Sequence, residues 1–493
     1  MRHEAPTADL GSSLHESEGG EGAVSLALVI AWSREEAARV GEVALFEVDG
    51  AARILGRGDA EGAGRVTFAR RRPGERPSAR AVSGSGISRE QLRITPRGGK
   101  LHVERIGRCA TVFRGAKVDK CALAPGETLL LKGQMLLLSV RREVQTPTFR
   151  DYPASYLGPF GEPCRLGLIG ESAAAHRLRD MVAFHAKAGA HTLVLGPSGA
   201  GKELVARAVH TLSARAKGPF VSRNAATLPV GLVEAELFGN VKNYPNPGMP
   251  ERPGLVGAAD GGTLFLDEIG ELPESLHASL LRVLDGDGEY HRLGEAKARR
   301  ADIRLVGATN RPAETLKHDL LARLPLRIAV PGLPARREDI PLLIRHLLGR
   351  ALAKSPDLVG RFVGADGGVA VSAALVDHLV QRPYTTHVRE LDGALWRAMA
   401  GSPGAVVDLP EEMARESLSP PEERQGPSPA PAPRRAPGDE PSAEEIRKTV
   451  TGLGGNLVQA AKALGLPSRY ALYRLLRKHG IDADELRSED EDG

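Results

Sequence analysis

Gly196-Pro-Ser-Gly-Ala-Gly-Lys202-Glu203 is the stretch on which the fold of this chain turns. An apolar run, His191-Thr-Leu-Val-Leu195, precedes it, and apolar residues at Leu204, Val205, Ala208, Val209 and Leu212 follow at helical spacing. A buried strand, a glycine-rich turn and an amphipathic helix in that order form a phosphate cradle. The glycines let the backbone turn tightly, so that its N–H groups face the phosphates. The helix N-terminus adds partial positive charge, and Lys202 reaches the outer phosphates. Gly196, Pro197, Ser198, Gly199, Ala200, Gly201, Lys202 and Glu203 are therefore the expected contacts to ATP. Glu203 stands where Ser or Thr normally touches Mg²⁺, which leaves the metal to Asp267 and water.

Downstream, Asp267-Glu268 ends the apolar run Thr263-Leu-Phe-Leu266, about 65 residues after the cradle. A carboxylate there can hold Mg²⁺ while its neighbour orients or deprotonates the attacking water. With Ile303-Arg-Leu-Val-Gly-Ala308 as a further buried run, short strands alternate with helical patterns from Leu166 to about Ala400, which predicts a parallel α/β sheet.

Residues 166 to 400 resemble the AAA+ domain of the bacterial enhancer-binding proteins, which remodel RNA polymerase holding sigma-54. The matching residues are the cradle through Arg207, Glu236-Leu-Phe-Gly239, and Gly261-Gly-Thr-Leu-Phe-Leu-Asp-Glu-Ile-Gly-Glu-Leu-Pro273. Glu203 is the usual residue of that family at its position. The resemblance implies that Asn224 switches Glu268 between active and idle positions, that Asn310 senses the terminal phosphate, and that Arg389 of the lid contacts nucleotide. Arg323 and Lys317 would reach the ATP of a neighbouring subunit in a homo-oligomeric ring. Lys317 replaces an arginine of the family pattern, so it delivers charge without the planar two-pronged hydrogen bonding of guanidinium. The lid motif also departs from the family, reading Gln381-Arg-Pro-Tyr-Thr-Thr-His-Val-Arg389.

The largest departure follows Gly239. Family members carry a GAFTGA loop that touches sigma-54; here the chain reads Asn240-Val-Lys-Asn-Tyr-Pro-Asn-Pro-Gly-Met-Pro-Glu-Arg-Pro-Gly254. The Phe and Thr are gone, and prolines restrict the backbone. Two functions follow as alternatives. One is an ATP-dependent regulator acting on sigma-54 polymerase; the other is a DNA-binding regulator or scaffold that binds nucleotide without driving sigma-54.

Residues 23 to 143 read as a β-sandwich, from short runs such as Val24-Ser-Leu-Ala-Leu-Val-Ile30, Val43–Phe46, Arg65–Phe68, Leu101–Val103 and Met135-Leu-Leu-Leu-Ser-Val140 with glycine-rich turns between them. Ala52-Arg-Ile-Leu-Gly-Arg-Gly58 and Gly86-Ile-Ser-Arg-Glu-Gln91 resemble a forkhead-associated (FHA) domain. That resemblance implies a phosphothreonine protein as partner, bound by Arg57, Ser88 and Arg89. Gln91 replaces the usual His, and the stretch from Ile106 to Gly115 lacks the Asn-Gly of the specificity loop.

At the other end, Gly454-Gly-Asn-Leu-Val-Gln-Ala-Ala-Lys-Ala-Leu-Gly465 and Ser468-Arg-Tyr-Ala-Leu-Tyr-Arg-Leu-Leu-Arg-Lys-His-Gly480 flank a turn at Leu466-Pro467. Asn456 and Ser468 can cap helices that Gly465 and Gly480 end. The pattern predicts an all-α helix-turn-helix and resembles the Fis-type domain of the same regulators. Between Ile446 and Ile481 there are seven Lys or Arg and no Asp or Glu, a balance suited to DNA phosphates. Arg469, Tyr470 and Arg474 are the expected contacts to upstream promoter DNA.

The expected organisation is therefore multidomain. It runs as a disordered N-terminus (1–22), an FHA-like sandwich (23–143), a linker (144–165), an ATPase core (166–335) and a helical lid (336–408). A Pro-rich linker (409–441), the helix-turn-helix (442–483) and an acidic tail (484–493) complete it. A length of 493 residues accommodates about three such cores. No apolar run nears the roughly 18 residues of a membrane span, and Met1 to Gly22 has no apolar core like that of a signal peptide. Cytoplasm is the expected location. Cys109, Cys121 and Cys164 form no CxxC pair, which predicts free thiols.

Overall fold

A computed structural model describes residues 23–58, 64–146, 148–229, 231–416 and 441–451, together with 460, 461, 463, 464, 466, 469–479 and 481. The chain forms two compact units, Met1–Leu418 and Ser419–Gly493.

The first unit begins with ten strands: β1 (Val24–Ser33), β2 (Val43–Phe46), β3 (Arg53–Leu55), β4 (Leu92–Arg97), β5 (Lys100–Arg105), β6 (Thr111–Phe113), β7 (Ala116–Val118), β8 (Lys120–Leu123), β9 (Thr128–Leu131) and β10 (Met135–Glu143). They form two antiparallel sheets, ordered β2-β1-β10-β9-β6-β7 and β3-β4-β5-β8. Leu55, Leu92, Ile94, Leu101 and Leu123 of the smaller sheet share one buried cluster with Leu129, Leu131 and Leu136 of the larger. Arg65–Phe68, expected as a strand, makes only single bridges, to Ile54 and Arg80, within the long connection between β3 and β4.

A sheet with one solvated face shows alternating burial. Here β1 is buried without interruption from Ser25 to Ala31, and β10 from Met135 to Val140. The second cover is a helix from much further along the chain, α9, described below.

The α/β part holds a parallel sheet ordered β12-β13-β16-β11-β17, formed by β11 (Thr192–Leu195), β12 (Phe220–Asn224), β13 (Thr263–Asp267), β16 (Arg304–Thr309) and β17 (Leu326–Ala329). A small ribbon, β14 (Glu289–Tyr290) and β15 (Arg299–Arg300), stands apart from it. The helices are α1 (Ala173–Ala188), α2 (Lys202–Thr211), α3 (Val233–Phe238), α4 (Gly254–Ala258), α5 (Glu274–Leu284) and α6 (His318–Arg323). Ser172 Oγ caps α1 by accepting from Ala175 N at 3.1 Å, and left-handed Gly189 ends it. Arg304, only 1% exposed, donates from β16 to His185 O at 2.7 Å and Ala190 O at 3.1 Å. A cation on the last carbonyls of α1 opposes the helix dipole and ties the helix to the sheet. Burial pulls the Arg304 pKa down to about 10.

The segment expected as a lid, hereafter the lid, contains α7 (Ile340–Lys354), α8 (Pro356–Val359), α9 (Ala373–Gln381) and α10 (His387–Gly401), followed by α11 (Glu411–Arg415). Helix α9 lies on β1, β9 and β10, so lid and sandwich share one continuous core. The segment from 144 to 165, expected as a linker, is packed: Tyr152 and Cys164 are buried beside Leu178 and Val182 of α1. Likewise residues 409–416 belong with the lid. Met413 is buried, and Glu416 pairs with Arg382 and, at 2.6 Å, Arg397.

In the second unit, helices Ala443–Thr451 and Arg469–Lys478 gather Ile446, Val450, Ala460, Ala461, Leu464, Leu472, Leu475 and Leu476 into one apolar cluster. The segment 452–459, with the Asn456 cap, lies outside the described residues. So do the N-terminus 1–22, residues 417–440 of the Pro-rich linker and the tail from 482.

Gly56 illustrates how tightly the sandwich loops pack. A Cβ there would sit 1.9 Å from Arg89 O. Gly56→Ala is expected to lower stability by about 2 kcal/mol, the scale of overpacking, as a shift of the urea midpoint.

Candidate functional site

Strand β11 delivers the chain to its cradle at Gly196, whose N–H donates to Thr309 O at 3.3 Å on the neighbouring strand β16. Gly199 and Gly201 take positive φ of 75° and 104°, the left-handed region that glycine enters without strain. Gly201 then caps α2, and Lys202, its first residue, is 6% exposed. Lys202 Nζ donates to Gly196 O at 3.1 Å and lies 3.6 Å from Glu268 Oε1.

Parallel pairing of β12 with β13 sets Asn224 opposite Asp267. Asp267 Oδ1 accepts from Glu268 N at 3.1 Å. Burial pushes the Asp267 carboxyl above its usual range, against the pull of Lys202. Glu268 has φ 50° and ψ 47°, a left-handed conformation that a residue with a side chain adopts at a cost. That kink turns its carboxylate toward the cradle, where Oε2 accepts from Asn310 N at 3.2 Å. Asn224 Oδ1 accepts from Ala226 N at 2.9 Å, so its side chain caps the following turn.

The lid completes the cleft. Val388 N donates to Gly199 O at 3.2 Å, and Arg389 Nη1 lies 3.5 Å from Ser198 Oγ. A Cβ on Gly199 would lie 2.1 Å from Thr386 O, so the two backbones meet where a side chain has no room. The resulting cleft of about 450 Å³ is lined by Ser198 through Glu203, Asn224, Asp267, Glu268 and Arg389 together. Glu203 also pairs with Arg207 at 2.8 Å along α2. Lys317 and Arg323, at the two ends of α6, do not line this cleft, and Arg323 Nε holds Asp285 Oδ1 at 2.5 Å.

Several lining residues carried no motif. Arg336, 7% exposed, lies 3.4 Å from Ala200 O and 3.5 Å from Ile169 O. Leu343, His346, Leu347 and Arg350 form a stripe on α7. Their spacing of three and four is the signal that marks one helix face, although nothing in it specifies a nucleotide.

At the sandwich end, Arg57 N donates to Ser88 O at 3.0 Å, and Ser88 Oγ accepts from Arg108 N at 3.0 Å. Arg57, Arg89 and Arg108 are exposed there, and Arg65 is half-buried beneath them, donating to Arg89 O and Arg57 O. Arg65 and Arg108 were not marked by the sequence motif. Gln91 is fully buried, accepting from Cys109 N at 3.2 Å and donating to Cys109 O at 2.8 Å. It therefore fastens the loops and offers nothing to a ligand. Arg474 is exposed on the last helix; the side chains of Arg469 and Tyr470 lie outside the described residues.

Residues 168–330 match the family described as "Sigma-54 interaction domain". The Nif-specific regulatory protein of Azotobacter vinelandii is 35% identical over 319 residues, covering 62% of this chain and 58% of that protein. The transcriptional regulatory protein ZraR of Salmonella typhimurium is 34% identical over 329 residues, covering 65% of this chain and 70% of ZraR. A crystal structure of NtrX from Brucella abortus with ADP is 30% identical, covers 64% of this chain and 70% of that one, and superposes with a TM-score of 0.45. Among the described residues, no helix is long and apolar enough to cross a membrane.

The close approach at Gly199 yields a direct test. Gly199→Ala is expected to weaken binding of a fluorescent ATP analogue about tenfold, the consequence of roughly 1–2 kcal/mol of steric strain. Unchanged affinity would mean that lid contact adds nothing to nucleotide binding.

Proposed function

We propose that this chain, which belongs to the sigma-54 activator family of transcriptional regulators and has the AAA+ P-loop ATPase fold, hydrolyses ATP to act on RNA polymerase holding sigma-54 while anchored to DNA. The observation that carries this reading is the convergence of Lys202, Asp267, Glu268, Asn224 and Arg389 on one cleft. Lys202 draws the outer phosphates; Arg389 follows them from the lid. Glu268, held by Asn310 N–H in its left-handed kink, is placed to orient the attacking water and take its proton. Asn310 stands beside it as the phosphate sensor. Release of Asn224 from Ala226 would let it pull Glu268 aside.

Among the described residues no group of three or more His, Cys, Asp or Glu could hold a metal alone. Asp267 and Glu268 side by side on the cleft suit Mg²⁺ entering with ATP, because Mg²⁺ keeps its waters and binds through one or two carboxylates and substrate phosphates. Asp267 would hold it, and the ion would neutralise charge on the phosphates. Lys317 and Arg323, away from their own cleft, would serve a neighbouring subunit's ATP in a ring.

The second unit is read as a helix-turn-helix that grips promoter DNA through Arg469, Tyr470 and Arg474. The sandwich is read as an FHA domain that binds a phosphothreonine protein through Arg57, Ser88 and Arg89, with Arg65 and Arg108 added. Location in the cytoplasm accords with this role.

One observation favours the second reading, in which nucleotide is bound but sigma-54 is not driven. The stretch in place of GAFTGA is closed by pairing of Asn240 with Arg252 and Leu293, and Asn240 is fully buried. Asn240 Nδ2 also donates to Pro250 O at 2.9 Å, and Asn243 Oδ1 accepts from Gly248 N at 3.0 Å. Tyr244 is the exposed aromatic near the tip.

Transcription from a sigma-54 promoter decides between the two. ATP-dependent transcription with the parent chain, lost in Glu268→Gln together with a fall in turnover of about 10²-fold or more, is the expected result. Turnover without transcription would establish the second reading. For the sandwich, phosphothreonine peptide is expected to bind and unphosphorylated peptide not, with Arg57→Ala weakening binding about tenfold as a charge-assisted hydrogen bond is lost. Equal binding of both peptides would refute it.

A further inference from the structure

We infer that the N-terminal sandwich clamps the lid onto the core of its own ATPase and thereby slows the exit of nucleotide. This rests on the nucleotide reading above but concerns a different surface, the outer face of β1, β9 and β10.

On the lid side, Trp32 Nε1 donates to Val371 O at 2.8 Å. A register shift between Ile30 and Trp32 places a bulge at the end of β1 just before that residue, and bulges re-aim side chains in this way. Thr128 of β9 bonds Asp377 and accepts from Gln381 Nε2 at 2.7 Å, both partners lying on α9. At Gly41 an added Cβ would meet Leu342 of α7 at 3.2 Å.

On the core side, Arg72 holds Glu171 with two hydrogen bonds, Nε to Oε2 at 2.9 Å and Nη2 to Oε1, and both residues are buried. Arg72 also donates to Gly158 O at 2.8 Å. Arg142 bridges the two sides. Its Nη2 donates to Glu171 O at 2.6 Å, and its Nη1 pairs with Glu338 at 2.8 Å in the connection from β17 to α7. The next residue, Asp339, accepts from Glu171 N at 2.7 Å and Ser172 N at 2.9 Å.

These contacts lie against the nucleotide. Ile169, two residues before Glu171, lines the cleft. His346 and Arg350 of α7 line both that cleft and a second one, of about 1120 Å³, between sandwich and lid. A lid that swings away from the cradle must therefore separate α9 from the sandwich or carry the sandwich off Glu171. Either movement breaks hydrogen bonds, part-buried on the α9 side and buried at Glu171, and nucleotide release waits on it.

The test uses the full chain with Trp32→Phe and Thr128→Val combined, positions that do not line the nucleotide cleft. Truncating Arg72 or Arg142 would instead strand buried Glu171 and endanger folding. Release of a fluorescent ADP analogue is timed by stopped flow, and hydrogen exchange is followed over Val371–Gln381. The clamp predicts release faster by at least about fivefold, the weight of one net hydrogen bond of the three that the two substitutions remove, with faster exchange in that segment. Faster exchange with unchanged release would overturn it, as would exchange and release both equal to the parent's. Failure of the parent chain to take up the ADP analogue would separately remove the nucleotide reading.

Discussion

The lid touches the phosphate cradle at a place where only backbone fits. Gly199 offers its carbonyl to Val388 N–H at 3.2 Å, and Thr386 O occupies the volume of the missing side chain. The position of α10 follows from this contact, and with it the reach of Arg389 toward Ser198. Helix α7 packs against α10, and α9 packs against α7, in the same core, so the sandwich resting on α9 is placed by the cradle as well. One glycine thus relates three layers that are far apart in sequence.

Within the cleft the electrostatics are unsettled by design. Lys202 lies between Gly196 O and Glu268. Asp267 and Glu268 are adjacent carboxylates, and burial raises the proton affinity of Asp267. Like charges held this close favour an incoming cation, whereas the lysine favours an incoming anion. A nucleotide carrying its own Mg²⁺, as proposed, would answer both needs at once. The left-handed backbone of Glu268 is the strain that keeps its carboxylate in the open cleft rather than folded along the strand.

Much of this was legible in the residues. The glycine-rich turn between strand and helix and the Asp-Glu pair at a strand end pointed to the cleft, because phosphate and metal chemistry draw on those residue types, whereas Asn224, Asn310 and Arg389 came only through the resemblance to the enhancer-binding regulators. What stayed hidden was long-range. His346 and Arg350 sit on α7, whose pattern reads only as amphipathic, and Arg336 precedes that helix; their place on the cleft depends on where the lid folds back. The segment 144–165 read as a linker because its prolines break any period, yet Tyr152 and Cys164 are core residues. The most instructive signal lay in the runs Val24-Ser-Leu-Ala-Leu-Val-Ile30 and Met135-Leu-Leu-Leu-Ser-Val140. They lack the alternation of a solvated sheet, and their continuity announced that both faces are covered. Which element supplied the cover was beyond reach, since α9 lies more than two hundred residues away.

That double burial governs how the chain can be dismantled. A chain trimmed of its first 143 residues would present to water the side of α9 that carries Asp377 and Gln381, and an isolated sandwich would present the buried face of β1 and β10. The freed face of the sandwich would be an adhesive scar of the kind that drives association between copies. The module is therefore not an interchangeable cassette: grafting another sensor in its place requires rewriting the helix beneath it.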